Sequence, residues 1–425
     1  MSFQTGLSGL NASSQSLDVI GNNIANANTV GMKSSRGEFA DLVASAIGAG
    51  GMANTAGIGT AVAAISQNFS QGNINITGNS LDVAINGGGF YQLTKSDGTT
   101  AYSRAGQFKL DKDGNIINNS GSNLMGYPTD ITGVRTSQST QKLSVPTGAP
   151  IAAKETTAIV AEFNLDARAP VASTVAPPTP RSTYGTSLTV FDSQGKPQTV
   201  SLYFERIAST PVAPATPTLD NWQVYDGSGA GATPLGVIAF DKSGALSPAN
   251  TTFPPLNAAA PPVPKLTVTP TQPSIVPAFE VSVDISKVTQ YGTSFAVSNL
   301  TQDGYTSGEF TGLSIDNKGV ITTQYSNGQT QKSGGMIALA NFRNVQGLAP
   351  TGGGEYQESY KSGAAIMGQP TVGSFGQLRA GAVEESNVDL TAELVNMMTA
   401  QRSYQANAQT IKTQDQILST LVNLR

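Results

Sequence analysis

The sequence contains no histidine and no cysteine. Without histidine there is no imidazole to act as a general base, to complete a Ser-His-Asp triad or to ligate a metal. Without cysteine there is no disulfide, no thiol nucleophile and no thiolate zinc site. The commonest hydrolase and metal-site designs are therefore excluded, and we predict no catalytic, cofactor-binding or metal-binding residues.

Charge is also scarce, since only 12% of the 425 residues are charged and the formal net charge is -4. A nucleic-acid binder needs a basic face, so this balance argues against one. The first basic residue is Lys33, so no basic segment precedes an apolar core as in a cleaved signal peptide. No run of about 18 apolar residues occurs, and we expect no membrane span.

Both ends of the chain carry apolar residues at alternating spacings of four and three, which is the period of a helix that buries one stripe. The polar positions between them are mainly Ser, Asn and Gln, and Asp18 is the only charge in the first 32 residues. We call the two rows together the predicted seam: Phe3, Leu7, Leu10, Leu17, Ile24, Leu390, Leu394, Met397, Tyr404, Ala408, Ile411, Leu418 and Val422.

The C-terminal helix is predicted over residues 387–424, with Ser386 or Asn387 as its N-cap. Asp389 and Glu393 would then lie near the positive end of the helix dipole. Two low-charge rows at opposite termini favour pairing with each other and with copies of the same chain. The alternative is a pair of ordinary surface helices packed on a globular core.

The middle of the chain is predicted to be β-structure. Segments 187–191 and 198–204 alternate apolar and polar residues around the turn Asp192–Gly195, which indicates a hairpin. The same Asp-x-x-Gly pattern recurs at Asp111–Gly114, Asp241–Gly244 and Asp316–Gly319, where glycine supplies a positive φ. Trp222, the only tryptophan, falls in another alternating segment and is predicted to be a core residue.

Proline marks an inserted segment, because 20 of the 23 prolines lie between Pro146 and Pro277. We predict a mostly β fold with terminal α-helical coiled-coil segments in a nested, multi-domain layout. Its predicted parts are terminal helices at 1–28 and 381–425, a Gly-rich connector at 29–73 and 363–380, a discontinuous β domain at 74–146 and 289–362, and an inserted outer β domain at 147–288.

Sequence motifs for small-molecule chemistry are weak. Gly57-Ile58-Gly59 lacks the third glycine of a dinucleotide loop, and Gly87–Gly89 reads more simply as a hairpin turn. Asp111–Gly114 lacks the closing glutamate of a calcium loop. The adjacent acids Glu384 and Glu385 precede the C-terminal helix, where acidic residues are usually solvated.

Three long segments resemble the bacterial flagellar rod and hook proteins. They are Ser8–Arg36, with Gly-Asn-Asn-Ile-Ala-Asn-Ala-Asn inside it, Leu81–Gln92, with Asp-Val-Ala-Ile-Asn-Gly-Gly-Gly-Phe-Tyr, and Ser386–Arg425. Met32 and Met398 depart slightly from the family pattern. The length of the chain and the insert favour the hook proteins within this family, with a distal-rod protein as the alternative.

The resemblance implies a structural subunit that polymerises into a curved, flexible, hollow tube. Such a tube acts as a universal joint that passes torque from rod to filament and serves as an export channel. The implied partners are further copies of the chain, the rod protein, the hook cap protein, the hook–filament junction protein and the flagellar type III export apparatus. The implied location is extracellular, in the hook and basal body, reached without a cleaved signal peptide.

The sequence leaves two other classes of function open. The chain is an enzyme if Glu384 and Glu385 perform carboxylate chemistry, or it carries an adhesive module if the insert binds glycans or cells.

Overall fold

The computed structural model describes residues 2–43, 57–148, 150–174, 179–211, 218–229, 231–253, 265–268 and 277–423. The chain divides into two compact units. The first unit comprises Met1–Gly148, Phe310–Gln324 and Thr330–Arg425, and the second comprises Ala149–Glu309 and Tyr325–Gln329.

Two α-helices lie at the ends of the chain, α1 at Ser2–Ala25 and α2 at Leu390–Asn423. Asp389 caps α2, because its Oδ1 accepts hydrogen bonds from the backbone N–H groups of Thr391 at 2.9 Å and Ala392 at 3.2 Å. The predicted caps Ser386 and Asn387 are wrong, since the helix begins three residues beyond Asn387. Neither helix, in the part of the chain described, is both long and apolar enough to cross a membrane.

The predicted connector contains a long β-hairpin. Strands β1 (Ser35–Val43) and β2 (Gly57–Gln67) pair antiparallel from Ser35 opposite Gln67 to Val43 opposite Gly57. The weak Gly57–Gly59 motif therefore lies in a strand. The hairpin leaves Phe39, Leu42 and Ile65 exposed.

Most strands of the first unit belong to one large sheet. Its strands are β5 (Phe90–Thr94), β6 (Thr100–Ser103), β7 (Phe108–Leu110), β8 (Ile116–Asn118), β9 (Asn123–Tyr127), β10 (Gln141–Lys142), β23 (Met336–Ile337), β24 (Leu339–Asn341), β25 (Ala349–Gly352), β26 (Glu355–Gln357) and β27 (Ile366–Gly368). The main path runs β25-β26-β6-β5-β9-β8-β7, with β10 and β23 on β9, and β24 joining β5 to β27. Segments far apart in sequence therefore share one sheet.

Smaller sheets complete the first unit. They are β3 (Ile74–Ile76) with β29 (Ala382–Glu384), β4 (Val83–Asn86) with β28 (Gln377–Ala380), and a three-stranded sheet of β20 (Phe310–Ile315), β21 (Ile321–Tyr325) and β22 (Thr330–Gln331). Val83, Ile85, Tyr91, Ile116 and Ile337 are fully buried in the core beneath these sheets. The pairs β3–β29 and β4–β28 bring the start of the β region beside the segment that leads into α2.

The second unit consists of two sheets around a common core. One sheet contains β11 (Ala158–Asp166), β16 (Lys265–Val268), β17 (Phe279–Asp284), β18 (Thr289–Tyr291) and β19 (Ala296–Gln302). The other contains β12 (Gly185–Phe191), β13 (Pro197–Pro211), β14 (Thr218–Tyr225) and β15 (Pro234–Phe240) in sequence order. Their inward residues, including Phe163, Phe204 and Val281, pack in one cluster with Trp222, which is completely buried as predicted.

The four Asp-x-x-Gly turns are confirmed. Gly114, Gly195, Gly244 and Gly319 have φ between 78° and 79°, and each donates its N–H to the aspartate carbonyl three residues earlier. Gly87–Gly89, in contrast, is not a hairpin turn. It links β4 to β5, which pair with different strands, so the glycines carry the chain from one sheet to another.

The mostly β fold with terminal helices is confirmed, and the exact domain limits stay a prediction. The second unit extends to Glu309, whereas the insert was predicted to end at residue 288. Strand β19 lies beyond that limit and pairs with β11 from Ile159 opposite Gln302 to Asn164 opposite Ala296. No proline falls in this returning strand, so composition alone did not assign it to the insert.

Candidate subunit-packing surface

The two terminal helices pack against each other in antiparallel order. Gly6 faces Ile411, Gly9 faces Asn407, and Asn23 donates a hydrogen bond to Glu393 Oε1 at 3.3 Å. Residue numbers that increase along α1 are thus paired with residue numbers that decrease along α2. The two ends of the polypeptide, which lie far apart in sequence, form one paired element.

Small residues allow the helices to approach closely. A Cβ placed on Gly6 would lie 3.2 Å from Ile411 Cγ1, and one placed on Gly9 would lie 2.8 Å from Asn407 Nδ2. The α1 face that meets α2 therefore carries Gly6 and Gly9 rather than leucine. Sequence reasoning followed the leucines and missed this adjacent row of small residues, although its spacing of three was visible.

The predicted seam is split by the structure into covered and exposed members. Leu10, Leu17, Ile24, Met397, Ala408 and Ile411 are partly covered within the chain. The exposed members are Leu7 at 44%, Leu390 at 44%, Leu394 at 51%, Tyr404 at 38% and Leu418 at 50%. Phe3 and Val422 lie in the helices, but their side chains are outside the described part of the chain.

Exposed apolar side chains concentrate on the first turns of α2. Leu390, Leu394, Val395 and Met398 are each about half exposed. They spread over the sides of α2 that do not face α1. A single chain therefore leaves a large apolar helix surface without an intramolecular partner.

A buried cluster of three charged side chains lies where the terminal segments join the β region. Lys33 Nζ is 2.6 Å from Glu384 Oε1, and both side chains are completely buried. Arg104 Nε is 3.4 Å from Glu384 Oε2, and the Arg104 side chain is only 5% exposed. Burial lowers the pKa of Lys33, while the hydrogen bond and charge of Glu384 act in the opposite direction.

The members of this charge cluster also bind the backbone of two further segments. Lys33 Nζ donates to Ser70 O at 2.7 Å, and Glu384 Oε1 accepts from Gly72 N at 2.9 Å. Arg104 Nη1 donates to the carbonyl oxygens of Gly87 at 2.9 Å and Gly89 at 2.7 Å. The cluster thus ties the end of α1, the return from the hairpin, the sheet and the approach to α2 into one junction.

The expectation that Glu384 is solvated at a helix start is wrong. Glu384 lies in β29 rather than in the first turn of α2, and Lys33 and Arg104 compensate its charge. A fully buried carboxylate with two cationic neighbours has no access to a substrate, which weighs against catalysis by Glu384. Glu385 is exposed, as expected. One signal was available in the sequence: Lys33 is the first basic residue, after 32 residues with a single charge.

Asn387 strengthens the same junction instead of capping α2. Its Oδ1 accepts from Ser34 N at 2.8 Å, and its Nδ2 donates to Asn68 O at 2.7 Å and Ser70 O at 3.1 Å. Within the described residues, no group of three or more acidic side chains is placed to hold a metal ion. The arrangement is suited to holding chain segments together and to presenting helix surface.

Family models match the chain in four segments. Residues 3–33 match the flagellar basal body rod protein model, 84–157 the flagellar hook protein FlgE/F/G D1 domain, 164–305 the flagellar basal body protein FlaE D2 domain, and 379–424 the flagellar basal body rod FlgEFG protein C-terminal model. The matched segments include both terminal helices and both β regions.

Full-length relatives are flagellar hook proteins FlgE. That of Escherichia coli K12 is 40% identical over 439 residues, with all of both chains covered. That of Treponema pallidum is 33% identical over 463 residues and covers all of this chain and 99% of its own. That of Rhizobium meliloti is 33% identical over 431 residues and covers all of this chain and 98% of its own.

A solved structure, that of the Helicobacter pylori flagellar hook protein FlgE2, shares the fold. It aligns with a TM-score of 0.52 at 13% identity, over 73% of this chain and all of the other.

Proposed function

The chain belongs to the flagellar hook protein family, and on that premise we propose that it is the structural subunit of a hook that polymerises into a curved, flexible, hollow tube. The tube passes torque from the rod to the filament and serves as an export channel. Similarity to hook proteins extends through the inserted β region, so the distal-rod alternative is not favoured.

The observation that carries this proposal is the apolar helix surface left by the terminal pair. Leu390, Leu394, Val395 and Met398 are about half exposed in a single chain. Burying such side chains contributes roughly 25 cal/mol per Å². Copies that pack side by side through α2 remove this surface from water, which favours a polymer over the monomer.

The predicted seam, the four-part domain division and the partners belong to the same proposal. The seam residues left exposed face neighbouring copies, and the covered ones hold α1 to α2. The rod protein, the hook cap protein, the hook–filament junction protein and the type III export apparatus are the proposed partners. The proposed location is the extracellular hook of the basal body, reached without a cleaved signal peptide.

Replacing Leu394 by aspartate tests the proposal. A charge placed among apolar helix residues is expensive to bury between copies, so Leu394→Asp should abolish sedimentable polymer while the monomer keeps its β-sheet circular dichroism. Thr410→Asp is the matched control, because Thr410 is also exposed on α2 but lies outside the apolar group. Normal polymer from Leu394→Asp, or equal loss from both variants, would contradict the proposal.

A further inference from the structure

Glu393 is the starting point, because its carboxylate is incompletely paired within the chain. Oε1 accepts the 3.3 Å bond from Asn23, while Oε2 is buried and has no hydrogen-bond partner. No lysine or arginine in the described ranges lies within ion-pair distance of Glu393. A carboxylate held in this way is costly unless a cation approaches it.

A groove of about 520 Å³ opens beside Glu393, between α1, α2 and the β1–β2 hairpin. Glu393 also lines a second cavity of about 390 Å³. The groove has apolar wall residues in Val19, Ile20 and Phe39. It therefore offers one anionic group inside a partly apolar channel.

Arg36 is the other charged residue of this groove, but it is directed elsewhere. Its side chain is 78% exposed, and its Nη2 lies 3.0 Å from Glu38 Oε1. Arg36 thus has its own anionic neighbour and leaves Glu393 without a cation.

The opposite face of α2 presents the complementary chemistry. Arg402 is exposed and, among the described residues, makes no hydrogen bond or ion pair. Nine residues, about two and a half turns, separate it from Glu393, so the two side chains point to opposite sides of the helix. Val395 and Met398, 52% and 53% exposed, lie on the same side as Arg402.

We propose that the groove receives the outward face of α2 from a second copy of this chain, with Arg402 of that copy bound to Glu393. Val395 and Met398 of the second copy then cover the apolar wall of the groove. The inference rests on the proposed polymer and names the contact that builds it. The groove and the outward face of α2 are different surfaces, so each copy can bind one neighbour through its groove and another through its α2. Such a head-to-tail contact lets further copies add and does not close into a dimer.

Cross-linking tests this contact cleanly, because the native chain has no cysteine. Full-length Glu393→Cys/Arg402→Cys is polymerised and treated with a short bismaleimide linker. Within one chain the two positions are about 13.5 Å apart along the axis and on opposite faces, so the linker joins only different copies. The expected result is a ladder of covalent multimers, with monomer alone from either single variant.

Glu393→Cys/Lys412→Cys is the matched control, since Lys412 is the other exposed lysine or arginine on the described part of α2. Sedimentable polymer without a ladder, or a ladder from this control instead, overturns the contact and leaves the hook assignment intact. Absence of polymer from the unmodified chain overturns both.

A double-mutant cycle with uncharged glutamine at both positions gives a second measurement and disturbs folding little. Arg402→Gln is expected to raise the critical concentration for polymerisation about tenfold, as is Glu393→Gln, and the double variant should be no worse than either single one. Additive losses would show that the two side chains do not meet.

Discussion

The stability of the first unit depends on the buried pair of Lys33 and Glu384. Removing Lys33 takes away the nearer cation of Glu384 and the donor to Ser70 O, while Arg104 stays 3.4 Å from Glu384 Oε2. Lys33→Met should therefore lower the free energy of unfolding of the first unit by about 1–3 kcal/mol, the cost of leaving buried acceptors unsatisfied. Urea unfolding followed by far-ultraviolet circular dichroism measures the loss.

The single tryptophan provides an internal control for this experiment. Trp222 is buried in the second unit, so its fluorescence reports the unfolding of that unit alone. It should keep its midpoint in Lys33→Met. Adding Glu384→Gln should increase the loss, because Arg104 would then be a buried cation without a counter-charge; recovery of stability would mean that Arg104 does not compensate Glu384.

Asp303 makes the second unit sensitive to acid. Burial raises its pKa, but hydrogen bonds from the backbone of Ala158 and Thr157 and from Lys154 outweigh it and hold the pKa well below the usual range. A carboxyl with a depressed folded-state pKa contributes stability above its unfolded value near 4, and this is lost as the pH falls through the folded pKa.

The stability difference between the native chain and Asp303→Asn should therefore be largest at neutral pH and shrink below about pH 4. Trp222 fluorescence during urea unfolding measures it as a function of pH. A difference that stays constant down to pH 2 would show that the ionised form of Asp303 is not what the hydrogen bonds stabilise.

At the scale of the helices, alanine substitutions at two glycines of α1 test how closely α1 approaches α2. Gly21→Ala should stabilise α1 by about 0.5–1 kcal/mol, because nothing lies within 4 Å of the added Cβ. Gly9→Ala should lack this gain, since its Cβ would lie 2.8 Å from Asn407 Nδ2. Amide hydrogen exchange in α1 compares the two variants.

Asn407→Ala removes the obstructing side chain and should restore the gain in a Gly9→Ala background. Equal protection in Gly9→Ala and Gly21→Ala would mean that the helices do not approach closely at this point.

Elements with short-range signals were predictable from sequence. The terminal helices follow from a 3.6-residue period, and the four turns follow from aspartate and glycine within four residues. The face of α1 that meets α2 was missed, because Gly6 and Gly9 carry no hydrophobic signal and only their spacing of three marks them. Glu384 was misjudged because its partners, Lys33 and Arg104, lie hundreds of residues away and only folding brings them to it.

For the whole molecule, the limits of the inserted unit can be tested by deletion. Removing residues 149–309 should leave the first unit folded and able to polymerise, with altered curvature of the tube. Removing 147–288 should give a less soluble monomer and less polymer, because β19 would remain without its partner strand β11. Electron microscopy of the polymers and solubility of the monomers distinguish the two; equal behaviour would favour the shorter limits.

The junction at Glu384 also sets an order of events for a chain that emerges N terminus first. Lys33 contacts Glu384, which lies 351 residues later in the chain, and Asn23 contacts Glu393, which lies 370 residues later. Most of the polypeptide must therefore be synthesised before the segment around Lys33 can complete its contacts, and the segment that contains Glu384 and Glu393 completes them. A chain truncated before Glu384 would lack the partners of Lys33 and Asn23, so the junction forms only in a chain that extends to the start of α2.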